Sequence, residues 1–252
     1  MDDAAAVRAL FLIAARAPVA GETKTRLGAA IGMERAAVIY RAFLRDLAAR
    51  FTPELLAASG CDLGWAFSPG KCDFAAHLRG IGHRPAPTVR FVPQVGDGWG
   101  ERQANLLRWG IEHGYERTVL VASDSPQLLS SVAKDAVTGL DDHDLVYGRV
   151  LDGGYYLVGI KGEHDVLSGV PMSTASAADA LVGRAEALGL RIAELPPTFD
   201  VDEAADLTNL RAALAADPWL APATWAALGA LGLIGERQEG APKDQAATQV
   251  AN

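Results

Sequence analysis

Residues 10–27 read LFLIAARAPVAGETKTRL. The run 10–15 is unbroken and apolar, with Phe11, Leu12 and Ile13 at its centre. A strand with one wet face alternates polar and apolar residues, so a continuous run points to a parallel strand covered by helices on both faces. Pro18 and Gly21 then break the pattern into a loop that carries Lys24 and Arg26 beside the hydroxyls of Thr23 and Thr25. In open α/β sheets the crevice at the carboxyl ends of the strands receives ligands. A lysine point charge, an arginine fork and loop amides can neutralise a polyphosphate there. The loop is neither a Walker A sequence nor a G-x-G-x-x-G. Read alone it is a solvated basic turn, and its weight as a phosphate site comes from the motifs further along the chain.

Working outward, strands and helices alternate, which predicts a three-layer α/β/α fold around a mostly parallel sheet. Strands are expected at 8–15, 63–67, 88–92, 118–122, 144–150, 155–160 and 191–195, with TVLVA at 118–122 the clearest buried strand. Helices are expected at 34–50, where Ala37, Val38, Phe43, Leu44 and Leu47 make an apolar face, and at 101–114, 127–140, 177–189 and 204–216. Trp219 and Trp225 suggest a last packed helix between 218 and about 233. Residues 1–234 read as a single domain, and the polar, aperiodic stretch 235–252 as a disordered tail.

The 252 residues are 50% hydrophobic and 21% charged, with a net charge of −8. That balance argues against nucleic acid and anionic membranes as partners, since both require a clustered basic surface. No apolar stretch reaches the ~20 residues of a spanning helix. The opening MDDAAAVRAL is acidic before its short apolar run, unlike a secretion signal, so a cytoplasmic location is expected. Cys61 and Cys72 form neither a disulfide framework nor a zinc spacing.

Four further stretches carry chemistry. Ser123-Asp124-Ser125-Pro126 comes directly after TVLVA, which sets a carboxylate at a strand tip, where it can hold Mg²⁺ or Mn²⁺ against phosphate oxygens. The same residues are also good helix-capping chemistry, with Pro126 at a first helical position. Asp152-Gly153-Gly154-Tyr155 signals a turn between two strands, and its glycines equally permit a substrate to approach the backbone while Asp152 and Tyr155 bind its polar groups. In Phe199-Asp200-Val201-Asp202 the two carboxylates share a side if the segment is extended, one joining Asp124 at a metal and the other capping a helix near Glu203. The glycine-rich stretch 94–102 is a surface loop or a base-reading loop, with Gln94 offering a paired donor and acceptor. No G-x-S-x-G elbow is present, which disfavours nucleophilic hydrolase chemistry.

The order of these motifs is itself informative. KTRL at 24–27, SDSP at 123–126, DGGYYLVG at 152–159, Ser173-Thr174 and DVDEAADL at 200–207 resemble a bacterial family with the nucleotide-diphospho-sugar transferase (GT-A) fold. That family is described as radical-SAM/selenodomain-associated transferases or arsenosugar-biosynthesis glycosyltransferases. The chain is also distantly similar to the 2-phospholactate and molybdenum-cofactor guanylyltransferases. Arg16, Ala122, Met172 and Glu203 stand where the pattern has Lys, Gly, Trp and Thr.

The resemblance implies a metal-dependent transferase that takes a nucleotide sugar, or alternatively a nucleoside triphosphate, and a small-molecule acceptor. It implies Lys24, Arg26, Asp124 and Asp152 as catalytic residues, with Arg16, Lys24, Thr25, Arg26, Gln94 and Gly100 at the nucleotide. Gly153, Gly154, Tyr155, Ser173 and Thr174 fall to the acceptor, and Asp124, Asp200 and Asp202 to Mg²⁺ or Mn²⁺. Three readings stay open: glycosyl transfer, nucleotidyl transfer from CTP or GTP to a phosphorylated or phosphonate acceptor with release of pyrophosphate, and a non-catalytic nucleotide-binding module.

Overall fold

A computed structural model describes residues 8–234, so the expected tail at 235–252 lies outside the described residues. In chain order the elements are β1 (Ala9–Arg16), α1 (Thr25–Ile31), α2 (Met33–Arg50), α3 (Pro53–Ala57), β2 (Cys61–Ser68), α4 (Phe74–Gly80), β3 (Arg90–Pro93) and α5 (Trp99–Glu112). Next come β4 (Arg117–Ala122), α6 (Ser131–Asp142), β5 (Leu145–Val150), β6 (Tyr155–Lys161), α7 (Ala177–Ala187), β7 (Ile192–Thr198), α8 (Leu207–Ala216) and α9 (Pro222–Ala230).

The strands form one sheet in the order β3-β2-β1-β4-β6-β5-β7. β1 lies between β2 and β4, parallel to both, with Ile13 opposite Trp65 on one side and Val121 on the other. β6 runs against both its neighbours, β4 and β5. The central position of β1 explains its unbroken apolar run. Phe11, Ile13 and Ala15 enter a core with Ile39, Phe43 and Leu47 of α2, while Leu10, Leu12 and Ala14 enter the opposite core with Leu106 and Leu107 of α5 and Leu181 of α7. Each large side chain so buried contributes about 1.5–3 kcal/mol, and helices therefore cover both faces.

From β1 the chain steps outward through β2 to β3 and then crosses back to β4 on the other side of β1, so the order reverses between β1 and β4. The loops after these two strands diverge and leave a crevice at their carboxyl ends. KTRL and SDSP both lie at that crevice.

Several element bounds differ from expectation. α1, α3 and α4 were not foreseen; α1 is a single short helix whose N-cap, Lys24, makes no side-chain cap bond. α6 begins at Ser131 and α8 at Leu207, later than expected. β7 continues through Pro196 and Pro197, which an edge strand tolerates because one of its sides needs no ladder. Trp225 packs against the core, but Trp219 is 83% exposed and anchors nothing. α9 is held instead by buried Asp46 of α2, whose carboxylate accepts from the amides of Ala223 (2.9 Å) and Thr224 (2.8 Å) and from the Thr224 hydroxyl (2.6 Å). Among the described residues no helix is long and apolar enough to cross a membrane.

Candidate active site

A cavity of about 300 Å³ opens at the reversal point, walled by Arg16 of β1, Thr23 to Arg26, Tyr40, Trp99, Arg102, Asp124 and Asp202. Lys24 adopts a left-handed backbone (φ 48°, ψ 43°) as the chain enters α1, which turns its side chain inward. Its side chain is only 5% exposed, and its ammonium lies against Asp124 Oδ1 and 2.8 Å from Asp202 Oδ1. Burial works against that charge, yet the fields and hydrogen bonds of the two carboxylates outweigh it and hold Lys24 above the ordinary lysine range. For Asp202 burial likewise opposes ionisation, and Lys24 with Arg26 reverses the balance and holds it below the carboxylate range. Arg26 is largely exposed and pairs with Asp202 Oδ2 (2.5 Å) and Glu203 Oε1 (2.9 Å).

The SDSP and FDVD segments are stitched together. Ser125 Oγ donates to the Phe199 carbonyl (2.8 Å), and the Val201 amide donates to the Asp124 carbonyl (3.0 Å). Ser123 Oγ bonds the Tyr40 hydroxyl at 2.7 Å, which in turn accepts from the Arg16 amide (3.0 Å). The capping roles considered for these residues do not occur. Ser125 is committed to Phe199, and the amides of Asp202 and Glu203 are received by Asp206 at 2.9 and 2.7 Å.

A second cavity of about 180 Å³ adjoins the first and shares Arg26, Trp99, Ala122, Asp124 and Asp202 with it. Asp152, Gly154, Tyr155, Met172, Ser173, Thr174 and Asp200 are also on its wall. β5 and β6 are antiparallel neighbours, so the 151–154 turn closes a hairpin, with Asp152 Oδ1 accepting from the Gly154 amide at 2.9 Å. Burial, reinforced by Asp202, Asp152 and Asp124 and opposed by Lys24, pushes Asp200 up to about 7. Burial pushes the Tyr155 hydroxyl up to about 12, with the Gln103 bond opposing.

Of the residues expected at the nucleotide, Arg16, Lys24, Thr25, Arg26 and Gln94 line the first cavity and Gly100 does not. A Cβ at Gly100 would stand 3.1 Å from the Met172 methyl, so its place is behind the wall. Gln94 lines the cavity with only half of its amide to offer. Its N–H group donates to the carbonyls of Ala66 (2.8 Å) and Ala15 (3.3 Å), so the paired base-edge pattern read from its chemistry is not available.

On the acceptor side Gly154, Tyr155, Ser173 and Thr174 reach the second cavity, whereas Gly153 does not. Its backbone, at φ +92°, faces this chain's own Ala175 carbonyl, which a Cβ would meet at 1.9 Å. The close approach inferred from that glycine is internal to the fold. Sequence reasoning missed Tyr40, Trp99 and Arg102 as cavity residues. An aromatic and a cation opening a helix straight after a glycine-rich loop was the available signal for the last two.

For a divalent cation, the carboxylates are all on this wall but are not a finished site. Among the described residues no three metal-ligating side chains converge on one point, while the expectation was Asp124 with one of Asp200 and Asp202. Asp124 and Asp202 share the Lys24 ammonium, while Asp200 has no ion-pair partner among the described residues. Mg²⁺ is commonly held by one or two carboxylates with phosphate oxygens and water completing its shell. A wall with four carboxylates, of which Asp152 and Asp200 have no ion-pair partner among the described residues, fits that mode.

Comparison with known proteins supports the architecture. A protein of Desulfovibrio desulfuricans G20, provisionally named a nucleotide-diphospho-sugar transferase, is 28% identical, with a TM-score of 0.78 over 90% of this chain and 96% of that one. The fold is that of the nucleotide-diphospho-sugar transferases. A cytidylyltransferase from Leptospira borgpetersenii serovar Hardjo-bovis (strain JB197) shares the fold at 10% identity, with a TM-score of 0.50 over 94% of this chain and all 100% of that one. A family described as an uncharacterized protein conserved in bacteria, DUF2064, matches residues 52–174. No curated protein matches.

Proposed function

We propose that this protein is a metal-dependent transferase that takes a nucleotide-activated donor in the first cavity and transfers a glycosyl group to a small acceptor in the second. The observation that supports it most is the gathering of Arg16, Lys24, Arg26 and Arg102 with Asp124 around one cavity at the strand-order reversal. A diphosphate seated there exchanges the carboxylate partners of Lys24 and Arg26 for its own oxygens, and both side chains then neutralise charge on the departing phosphates. No protein nucleophile is required. A divalent cation, when bound, supplies further neutralisation of the phosphates, and Asp124 with Asp200 or Asp202 would hold it. Asp152 orients the acceptor from the hairpin turn. The likeness to the Desulfovibrio protein, at 28% identity along nearly the whole chain, supports a transferase that uses nucleotides.

Nucleotidyl transfer is the second reading, because four basic side chains on one cavity also suit a triphosphate. Thermal-shift titration with nucleotide sugars and nucleoside triphosphates, with and without Mg²⁺ or Mn²⁺, tests the donor site, since a ligand of the native state raises its stability. Product analysis then separates the reactions: a nucleoside diphosphate supports glycosyl transfer and pyrophosphate supports the second reading. A chain stabilised by none of these compounds is not such a transferase.

A further inference from the structure

The second cavity carries a charge pattern that limits what it can receive. Asp124, Asp152, Asp200 and Asp202 all line it, and among the described residues Arg26 is the one cation on its wall. That guanidinium is already forked across Asp202 and Glu203 at 2.5 and 2.9 Å. Lys24 answers Asp124 and Asp202 from the first cavity, which leaves Asp152 and Asp200 without a cationic partner among the described residues.

One polar atom on this wall, an acceptor, has no donor among the described residues. Gln103 is 2% exposed and lines the cavity. Its amide N–H group is committed to the Tyr155 hydroxyl at 3.1 Å and the Met172 sulfur at 3.5 Å. No donor among the described residues reaches its Oε1. A carbonyl oxygen on a cavity wall with no protein donor is free to accept from an incoming O–H or N–H group. Leu120, Val150 and Met172 supply the apolar part of the wall.

From this arrangement, and resting on the transferase reading above, we propose that the acceptor is a small molecule without negative charge that presents a hydroxyl or amine to Gln103, Asp152 and Asp200. A phosphate or phosphonate monoester brings two negative charges to a wall whose one side-chain cation is already paired, any divalent cation at Asp124 being engaged by the donor's phosphates, and like charges set side by side without water between them repel strongly. The selectivity is thus built from repulsion as much as from attraction.

The chain holds 3 methionines, so a ¹³C-methyl label gives a sparse spectrum in which Met172 reports on this cavity. The probes are glycerol and choline, against glycerol 3-phosphate, phosphocholine and methylphosphonate, titrated into the full chain in buffer free of divalent cations. Glycerol or choline shifts the Met172 resonance at concentrations about tenfold below their phosphorylated counterparts, a difference of ~1.4 kcal/mol. Asp152→Asn retains the turn, because its Oδ1 still accepts from the Gly154 amide, and lowers that ratio severalfold by removing one negative charge. Tighter binding of the phosphorylated probes overturns the proposal. A Met172 signal that no probe moves overturns it equally, since the cavity then receives none of these molecules. Loss of the donor reading is scored separately, by the absence of any thermal shift with nucleotides.

Discussion

Lys24 Nζ lies 2.8 Å from Asp202 Oδ1, across 178 positions of sequence. The loop that opens the chain's first crossover is thereby fastened to the segment beyond its last strand. Neither charge is free. An anion that enters must compete with carboxylates already in place, and the ion pairs keep the buried ammonium neutralised until it does.

Replacing Lys24 with Met leaves Asp124 and Asp202 facing each other with only Arg26 to answer them. Breaking one side of a fully buried pair costs about 3–5 kcal/mol, and solvent at the two carboxylates, 32% and 34% exposed, brings this down to about 1–3 kcal/mol. We expect Lys24→Met to lose stability of this order in urea unfolding and to abolish stabilisation by nucleotides. Unchanged nucleotide shifts in a folded variant would remove Lys24 from the phosphate site.

Asp124→Asn keeps the backbone link to Val201, since that bond uses the Asp124 carbonyl. The variant should fold, bind nucleotide weakly without metal and lose the increment that Mg²⁺ or Mn²⁺ adds. Wild-type metal dependence in its turnover would falsify the assignment of Asp124 as a metal ligand.

Asp46 is 4% exposed and receives three hydrogen bonds at the start of α9. Hydrogen bonds to a charged group contribute about 1.5–3 kcal/mol, and the cost rises when buried donors are left without partners. Asp46→Ala is therefore expected to destabilise the fold by about 3 kcal/mol and to accelerate amide exchange in α9 before the sheet.

Gly153→Ala sets a methyl against the Ala175 carbonyl and asks an alanine to hold φ +92°. Strain of this kind costs about 1–3 kcal/mol. The displaced 172–176 segment should weaken acceptor use, seen as a raised KM for acceptor with donor binding intact. A variant equal to wild type in both would show that the segment moves freely.

Asp144 receives the Arg191 side chain at 3.1 Å through both Nε and Nη2, and its amide at 2.9 Å. These bonds depress the Asp144 carboxyl to about 2. A carboxyl held below its unfolded value stabilises the fold above that value, and the contribution disappears as pH falls through the folded one. The stability difference between wild type and Asp144→Asn should thus be constant above about pH 4 and shrink toward pH 2. A difference that persists undiminished at pH 2 would contradict the pairing.

The sheet was legible because its central strands are covered twice. LFLIAA and TVLVA have no polar alternation, and both lie in the middle of the sheet, with parallel pairing between them. The DGG turn likewise announced its hairpin. α1 was not legible, because Thr25–Ile31 is short, has no side-chain cap and begins from a left-handed lysine. The candidate residues were readable one by one, since their chemistry is local to each motif. Their pairings were not. Nothing near Lys24 signals Asp202, and the roles of Asp206 and of the Gln94 amide arise from backbone groups that only the fold brings close.

The hairpin between β5 and β6, with the 172–174 segment beside it, supplies walls of the second cavity that the first does not share. Giver and receiver are thus moulded largely by different pieces of polypeptide. Grafting that corner from a related chain is a route to rewriting what gets decorated while leaving untouched the machinery that handles the activated precursor.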